Sequence, residues 1–490
     1  MPPATQSLRA DAVVVGTGAG GGPAAAALAE AGLEVAVLEA GPHLQSADFR
    51  DDEWSMRTRL GRIQSTGDAT QSFYAGACVG GSTVVNDALC WHPPPEVLAG
   101  WRQEYGLAEL SDEHFAAYVE RAWSDVHAEP TRRSHVNKNA DALARGAQAL
   151  GWANEAMPRN VRRCARLGRC NLGCPTNAKQ STLVTYVPRA QRAGARLLAN
   201  VRARRVRVKG GRAEGVEAHR IDPASGQVVA EISIEAPRVL LAAGALGTPA
   251  VLLRSGIAAG GGFQAHSSVY VSARFAEPIH GYFGPTMAWA VSEFADVNGR
   301  SGPGFMLENA AVRPLQTAST LPDFGVDHER AMAALPHLAS TVIVLRDRSR
   351  GRISLDELGR SRVDYTLDGP DLERLRQALR RSAELYLAAG AEEVWLPVHG
   401  VGPIRSKSDL ERLPEALDPT RLSLLYAVHL FGGAAMGGSR ERSVCRPDGR
   451  VWDVQGLYVC DASSLPSNTG VNPQITILAN ALRIADGAVS

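Results

Sequence analysis

Residues 11–15 (DAVVV) form a short apolar run without alternation, the pattern of a parallel strand covered on both faces. GTGAGGG at 16–22 follows, then Pro23 and the small-residue run AAAALAEAG ending at Gly32. Proline in the first turn and glycine just past the end bound a helix there. Leu33 to Glu39 (LEVAVLE) returns as a second strand, completing a β-α-β unit at the start of the chain. Residues 96–160 read as helices and loops, and 195–208 and 213–219 alternate as strands do. RVLLAAGALGTPAVLLRSG (238–256) reads as a buried strand, a glycine turn and a helix. From about 261 to 420 the pattern changes to short alternating strands. One long helix interrupts them: Leu372, Leu375, Leu379 and Tyr386 share a face, and Gly390 lies past its end. GLYVCDAS (456–463) reads as a last core strand and NPQITILANALRIAD (472–486) as a last helix. The simplest parse is a nucleotide lobe built from both ends of the chain around a central sheet insert.

At 490 residues the chain exceeds what one core usually serves, which favours two lobes. Lys plus Arg number 52 and Asp plus Glu 51, so charge gives no argument for nucleic acid or an anionic membrane as partner. No apolar run is long enough for a membrane span, and none of signal-peptide length precedes the first strand. The seven cysteines are an odd count and too sparse for a disulfide scaffold, so a soluble, reducing, cytoplasmic setting is expected.

Gly16, Gly18 and Gly21 occupy the glycine positions of GxGxxG. The first permits a tight turn, the second close approach to a pyrophosphate, and the third close packing of helix on strand. The helix N-terminus offers free N–H groups to the phosphates. Glu39 ends the second strand, where a carboxylate can accept from both ribose hydroxyls and repels a 2′-phosphate. This motif alone leaves FAD and NAD both open.

ACVGGSTVVNDALCW (77–91), RVLLAAGALGTPAVLLRSG (238–256) and the closing HLFGGAAMG…GLYVCDASSLPSNTGVNPQITILANALRIAD (429–486) resemble, in order, the glucose–methanol–choline (GMC) oxidoreductases. The resemblance spans nearly the whole chain and implies FAD. It also implies an α/β fold: a Rossmann-like FAD-binding domain with an inserted substrate domain on a six-stranded antiparallel sheet packed by helices. The FAD-binding domain is expected in three parts: 1–95, 161–260 with a cysteine-rich loop at 164–182, and 425–490 carrying the catalytic residues. Segment 96–160 is expected to be helical and loop, partly in the substrate domain, and 261–424 to bind substrate.

Carried over by position, Gly80, Gly81, Ser82 and Asn86 match the segment lining the flavin and pyrophosphate. Ala203 matches a residue whose backbone pairs with adenine, and Asp461 and Ala462 the ribityl and phosphate stretch. Asn472 and Pro473 match the flavin's pyrimidine edge. His429 matches the family's catalytic histidine and Asn472 its second catalytic position. The resemblance thus implies oxidation of an alcohol to a carbonyl, with proton abstraction by His429 and hydride transfer to the flavin. Asn472 would hold the oxygen. Some members attach FAD through a histidine in the GGSTVVN segment; Val85 stands at that position, so non-covalent FAD is expected. His266 reads as structural. Within the same fold the alternatives are a lyase of the hydroxynitrile lyase type with non-redox FAD, and a non-catalytic flavoprotein. The apolar tone of 261–420 leans toward a lipophilic small-molecule alcohol, with oxygen, a quinone or a redox protein as electron acceptor.

CARLGRCNLGCPTNAKQST (164–182) places Cys164, Cys170 and Cys174 five and three residues apart. Similar segments occur in GMC dehydrogenases that carry a three-iron cluster and in long-chain alcohol oxidase relatives. Three cysteines do not fill a four-ligand zinc site, and the expectation is a structural loop of reduced thiols without a metal. The flanking Arg162, Arg163, Arg166 and Arg169 read as a solvated basic face.

Overall fold

The computed structural model describes residues 4–110 and 112–489. At one end lies an all-parallel sheet of five strands, in the order Leu457–Val459, Arg238–Leu241, Ala12–Val15, Val35–Leu38 and Arg196–Leu198. The two strands read first from the sequence, Ala12–Val15 and Val35–Leu38, are buried along their whole length, as unbroken apolar runs require. Helix Gly21–Glu30 packs between helix Gln474–Val489 and helix Tyr186–Arg192. Its run of alanines lets both neighbours approach, and every residue but Glu30 is buried.

The stretch 195–208, read as one strand, is two. Arg196–Leu198 joins the parallel sheet, and Val201–Lys209 joins a separate four-stranded sheet with Arg212–Ile221, Val228–Glu235 and Ala4–Arg9. Asn200 breaks the run with φ +56°, and Val201 N–H then donates to the Glu39 carbonyl (2.8 Å).

The second lobe differs from a six-stranded antiparallel sheet. Its sheet has eleven strands and is mixed. The 14-residue strand Gly261–Arg274 runs through its middle, antiparallel to Leu338–Leu345 and Tyr426–Phe431. Tyr426–Phe431 in turn runs parallel to Ser72–Gly76. Strands from outside 261–424, among them Gly61–Ser65, Ser72–Gly76 and Asn154–Ala156, extend the sheet at both edges. They are short and partly exposed, so they carry little apolar pattern for a sequence to show.

Helix Gly369–Ala388 packs behind this sheet, with Leu375, Leu379 and Tyr386 buried. The Asp368 side chain caps its start by accepting from Asp371 N–H, and Gly390 follows its end at φ +91°. Segment 96–160 serves both lobes. Helix Asp112–Asp125 packs on Gln474–Val489, whereas Lys138–Ala149 packs on Gly369–Ala388 and the mixed sheet. Among the described residues no helix is long and apolar enough to cross a membrane.

Candidate functional site

The glycine turn of the first β-α-β unit is made by backbone that tolerates no side chain. Gly16 has φ +106°, and a Cβ on it or on Gly21 would collide with a carbonyl oxygen, of Ala242 and of Gly16 respectively. Gly18 is different. A Cβ there would find nothing nearer than Gly81 Cα at 3.7 Å, so this backbone is open to close approach.

Gly81 faces it, since a Cβ on Gly81 would lie 2.8 Å from Gly18 Cα. Gly80 (φ +95°) donates its N–H to Thr17 Oγ1 (2.9 Å), and Thr17 Oγ1 donates to Glu39 Oε2 (2.6 Å). Gly41 N–H satisfies Glu39 Oε1 (3.0 Å). Burial lifts the Glu39 pKa to about 6, against hydrogen bonds that favour the charged carboxylate. Ala203 lies two residues past Val201, on the strand that leaves this acid.

Ser82 opens the short helix Ser82–Val85, its Oγ accepting from Gly76 N–H (3.0 Å). Asn86 ends that helix and donates to Gln474, the first residue of the last helix. Asp461 joins two further segments. It accepts from Gly244 N–H (2.7 Å) and Thr248 Oγ1 (2.6 Å) on one oxygen and from Ser463 N–H (2.8 Å) on the other. Burial raises its pKa against those bonds. Ala462 O accepts from Gly432 N–H (3.1 Å), which ties this stretch to the strand bearing His429.

His429 on Tyr426–Phe431 and Asn472, just before helix Gln474–Val489, come within 3.5 Å (Nε2 to Nδ2). Pro473 carries the chain into that helix, its carbonyl accepting from Ile477 N–H (3.0 Å). Two residues not singled out for catalysis from the sequence complete the array. Glu308, buried on Phe305–Asn309, accepts from Asn472 Nδ2 (3.4 Å). His266, fully buried on Gly261–Arg274, meets His429 Nδ1 to Nδ1 at 3.2 Å. Gly470 N–H donates to the other nitrogen of His266 (Nε2, 3.1 Å).

Because Gly470 N–H donates to its Nε2, neutral His266 carries its proton on Nδ1 and donates it to His429 Nδ1, so neutral His429 carries its own proton on Nε2. Burial pulls His429 down to about 4 and His266 well below its ordinary value, so both rings are neutral near pH 7. Burial pushes Glu308 up to about 8. Asn472 Oδ1, Glu308 Oε1 and Asp87 Oδ1 are buried without a hydrogen-bond partner in the protein. Such atoms are costly to leave unmet, and Asn472 and Glu308 hold theirs side by side. Glu308 could have been noticed as the lone acid in the apolar run GFMLENAAV. His266 carried no signal that separates it from a core histidine.

The cysteine-rich loop sends Thr182 to the glycine turn (Oγ1 to Thr17 O, 2.8 Å) and Lys179 to the end of the short helix Ser82–Val85. Lys179 is buried and donates to the carbonyls of Val84 (2.6 Å), Asn86 (2.7 Å) and Cys170 (2.6 Å); burial lowers it to about 8. Cys164, Cys170 and Cys174 each have a different nearest donor: Arg166 N–H (3.4 Å), Arg159 Nη2 (3.1 Å) and Lys179 N–H (3.4 Å). Among the described residues no group of three His, Cys, Asp or Glu side chains is placed to hold a metal ion.

A parallel sheet with a glycine turn at its first helix, and an imidazole on a second sheet within 3.5 Å of an amide that precedes the last helix, is an arrangement suited to a two-lobed oxidoreductase. The chain belongs to the GMC oxidoreductase family, an FAD-binding family. The N-terminal family model matches residues 12–268 and the C-terminal one 347–481. An uncharacterized GMC-type oxidoreductase of Mycobacterium tuberculosis is 33% identical over 98% of this chain and 76% of its own length. The long-chain-alcohol oxidase FAO3 of Arabidopsis thaliana is 28% identical over 98% of this chain and 67% of its own. Among solved structures, pyridoxine 4-oxidase from Mesorbium loti superposes with a TM-score of 0.74 at 17% identity, covering 97% of this chain and 98% of that one. The open backbone at Gly18, the buried Glu39 and the unmet polar atoms beside His429 fit FAD and a small substrate.

Proposed function

We propose that this chain oxidises a lipophilic alcohol to its carbonyl compound, with FAD bound non-covalently and His429 and Asn472 at the reacting end. The observation that supports this is the convergence of an imidazole and an amide, 3.5 Å apart, on buried polar atoms with no partner in the protein. Gly16, Gly18 and Gly21 would hold the pyrophosphate, Glu39 the ribose and the Ala203 backbone the adenine. Gly80, Gly81, Ser82, Asn86, Asp461, Ala462 and Pro473 would line the rest. When bound, FAD supplies the acceptor for the hydride that leaves the carbinol carbon.

Asn472 Nδ2 and His429 Nε2 both reach an alcohol oxygen set between them. With the His266 proton on Nδ1, His429 Nε2–H would hold that oxygen as a donor. For Nε2 to take the hydroxyl proton both rings would first exchange tautomers, His429 holding its proton on Nδ1 and His266 on Nε2, which gives up the bond from Gly470 N–H. The depressed pKa of about 4 keeps the ring neutral, hence able to accept a proton at neutral pH. Asn472 Nδ2 donates to the oxygen as negative charge develops there. Similarity to the long-chain-alcohol oxidase supports a lipophilic substrate. The seven cysteines, all unpaired, fit a reducing, cytoplasmic setting.

Anaerobic addition of a long-chain primary alcohol should bleach the flavin band. His429→Ala should keep its FAD and slow that bleaching at least about 100-fold. Turnover without bleaching would sink the reading and point to lyase chemistry. Val85 has no nucleophile and packs in an apolar cluster with Met56, Leu172 and Val187, so acid precipitation should release all the FAD into the supernatant. Flavin retained in the pellet would contradict non-covalent binding.

A further inference from the structure

A cavity of about 410 Å³ opens beside the paired strands Ala128–Pro130 and Pro158–Asn160 and the chain that runs on to Cys164. It shares no residue with the cradle or the reacting end. That volume lies within the range, about 300–1,000 Å³, of small-molecule sites. Four arginines line it, Arg132, Arg159, Arg162 and Arg163, against one carboxylate. That carboxylate, Glu129, is 65% exposed and lies 3.9 Å from Arg132, an exposed pair of little strength. Among the described residues no carboxylate pairs with Arg159, Arg162 or Arg163. The wall therefore carries a clear excess of positive charge.

Arg159 is the second, independent observation. It is 1% exposed, and its Nε is buried with no hydrogen-bond partner, while Nη2 donates to Cys170 Sγ (3.1 Å). This buried cation stands behind the wall that the exposed Arg132, Arg162 and Arg163 present, and its uncompensated charge favours an anion there. The same excess is felt at His135 on the cavity wall. Burial, and then the cations Arg166, Arg132 and Arg159, hold its imidazole below the ordinary histidine range. The backbone is held in place as well: Arg163 and Arg166 sit at φ +51° and +56°, a region bulky residues avoid unless the surroundings impose it.

The geometry points to this cavity as a binding site for a multiply charged oxyanion carried on a small organic group, of the phosphate monoester or tricarboxylate kind. Guanidinium forks match both head groups with paired hydrogen bonds. Four cations against one rim carboxylate select a multiple charge over a single one.

The test uses FAD-loaded protein, so that the pyrophosphate cradle is filled. Glycerol 3-phosphate, citrate and acetate are titrated by calorimetry at about 0.15 M salt, where exposed charges more than about 8 Å apart are largely screened. One of the first two should bind saturably at one site per chain, and the tighter of them identifies the class. The His135 ring, followed by NMR, should titrate at higher pH in that complex. Arg162→Gln combined with Arg163→Gln, both outside the catalytic machinery, should weaken binding at least about tenfold while FAD content and flavin spectrum stay unchanged. Arg159→Lys keeps the charge but loses the fork, and should also weaken binding; if it does not fold, the double variant decides. The proposal is overturned by no saturation below about 10 mM, by equal binding in the double variant, or by acetate binding as tightly as the multivalent anions.

Discussion

Glu39 in the cradle and Glu308 at the reacting end are the same side chain, both buried, in different company. Glu39 is met on both oxygens, by Thr17 and Gly41. Glu308 has one oxygen unmet and the other at 3.4 Å from an amide. Burial raises both pKa values, but to about 6 at Glu39 and about 8 at Glu308. The gap corresponds to roughly 3 kcal/mol in preference for the neutral form. The cradle is thus complete in its own hydrogen bonds before any cofactor arrives, as Asp461 with its bonds to Gly244, Thr248 and Ser463 also illustrates. The reacting end is incomplete until something binds. Rigid shape is built at one end and unmet polarity is stored at the other.

The largest effect should come from breaking the cradle. Gly21→Val forces side-chain atoms into the Gly16 carbonyl, and the purified protein should carry no flavin absorption. A yellow protein from this variant would contradict the tight turn. Next, Asn472→Ala removes the long contacts to Glu308 and His429 and leaves the glycine turn whole. Flavin reduction by alcohol should fall about 10²–10³-fold with FAD content retained. A variant that instead loses FAD would place Asn472 in the cradle.

The smallest effect is on stability against pH. Glu308 rises from 4.5 to about 8 on folding. Between those values the folded chain keeps the proton and the unfolded chain has lost it, so stability declines as pH rises through that window. Glu308→Gln mimics the neutral acid and should flatten the fall in Tm across pH 5 to 8. Asp347, raised to about 7, keeps a remnant of the same sign. His429 acts in the opposite direction, since its pKa falls from 6.5 to about 4 and its contribution is lost as pH drops through that range. An unchanged slope in the Glu308→Gln variant would show that this carboxyl is charged in the folded protein.

The cradle was legible because its chemistry is local. Gly16, Gly18, Gly21 and Glu39 lie within one β-α-β unit, whose strand–turn–helix order follows from apolar runs, glycine and proline. His429 and Asn472 could be named only through resemblance, since 43 residues separate them and no periodicity links them. Glu308 and His266 were missed as catalytic neighbours because each is a single polar residue in an apolar strand. Sequence spacing does not say which face of which sheet it joins. The eleven-strand sheet escaped for a related reason: its outer strands come from distant, short and half-polar segments.

By itself the sequence determined the parallel sheet's first strands, the glycine turn, the acid that follows and the helix that closes the chain, because each rests on short-range pattern and backbone sterics. Only the tertiary structure decided that His266 meets His429, that Glu308 accepts from Asn472, and that Arg159 is buried beside a cavity with a donor unmet. The first two depend on segments more than 160 residues apart being laid side by side. There, removal from water rather than residue type sets what each polar group can do.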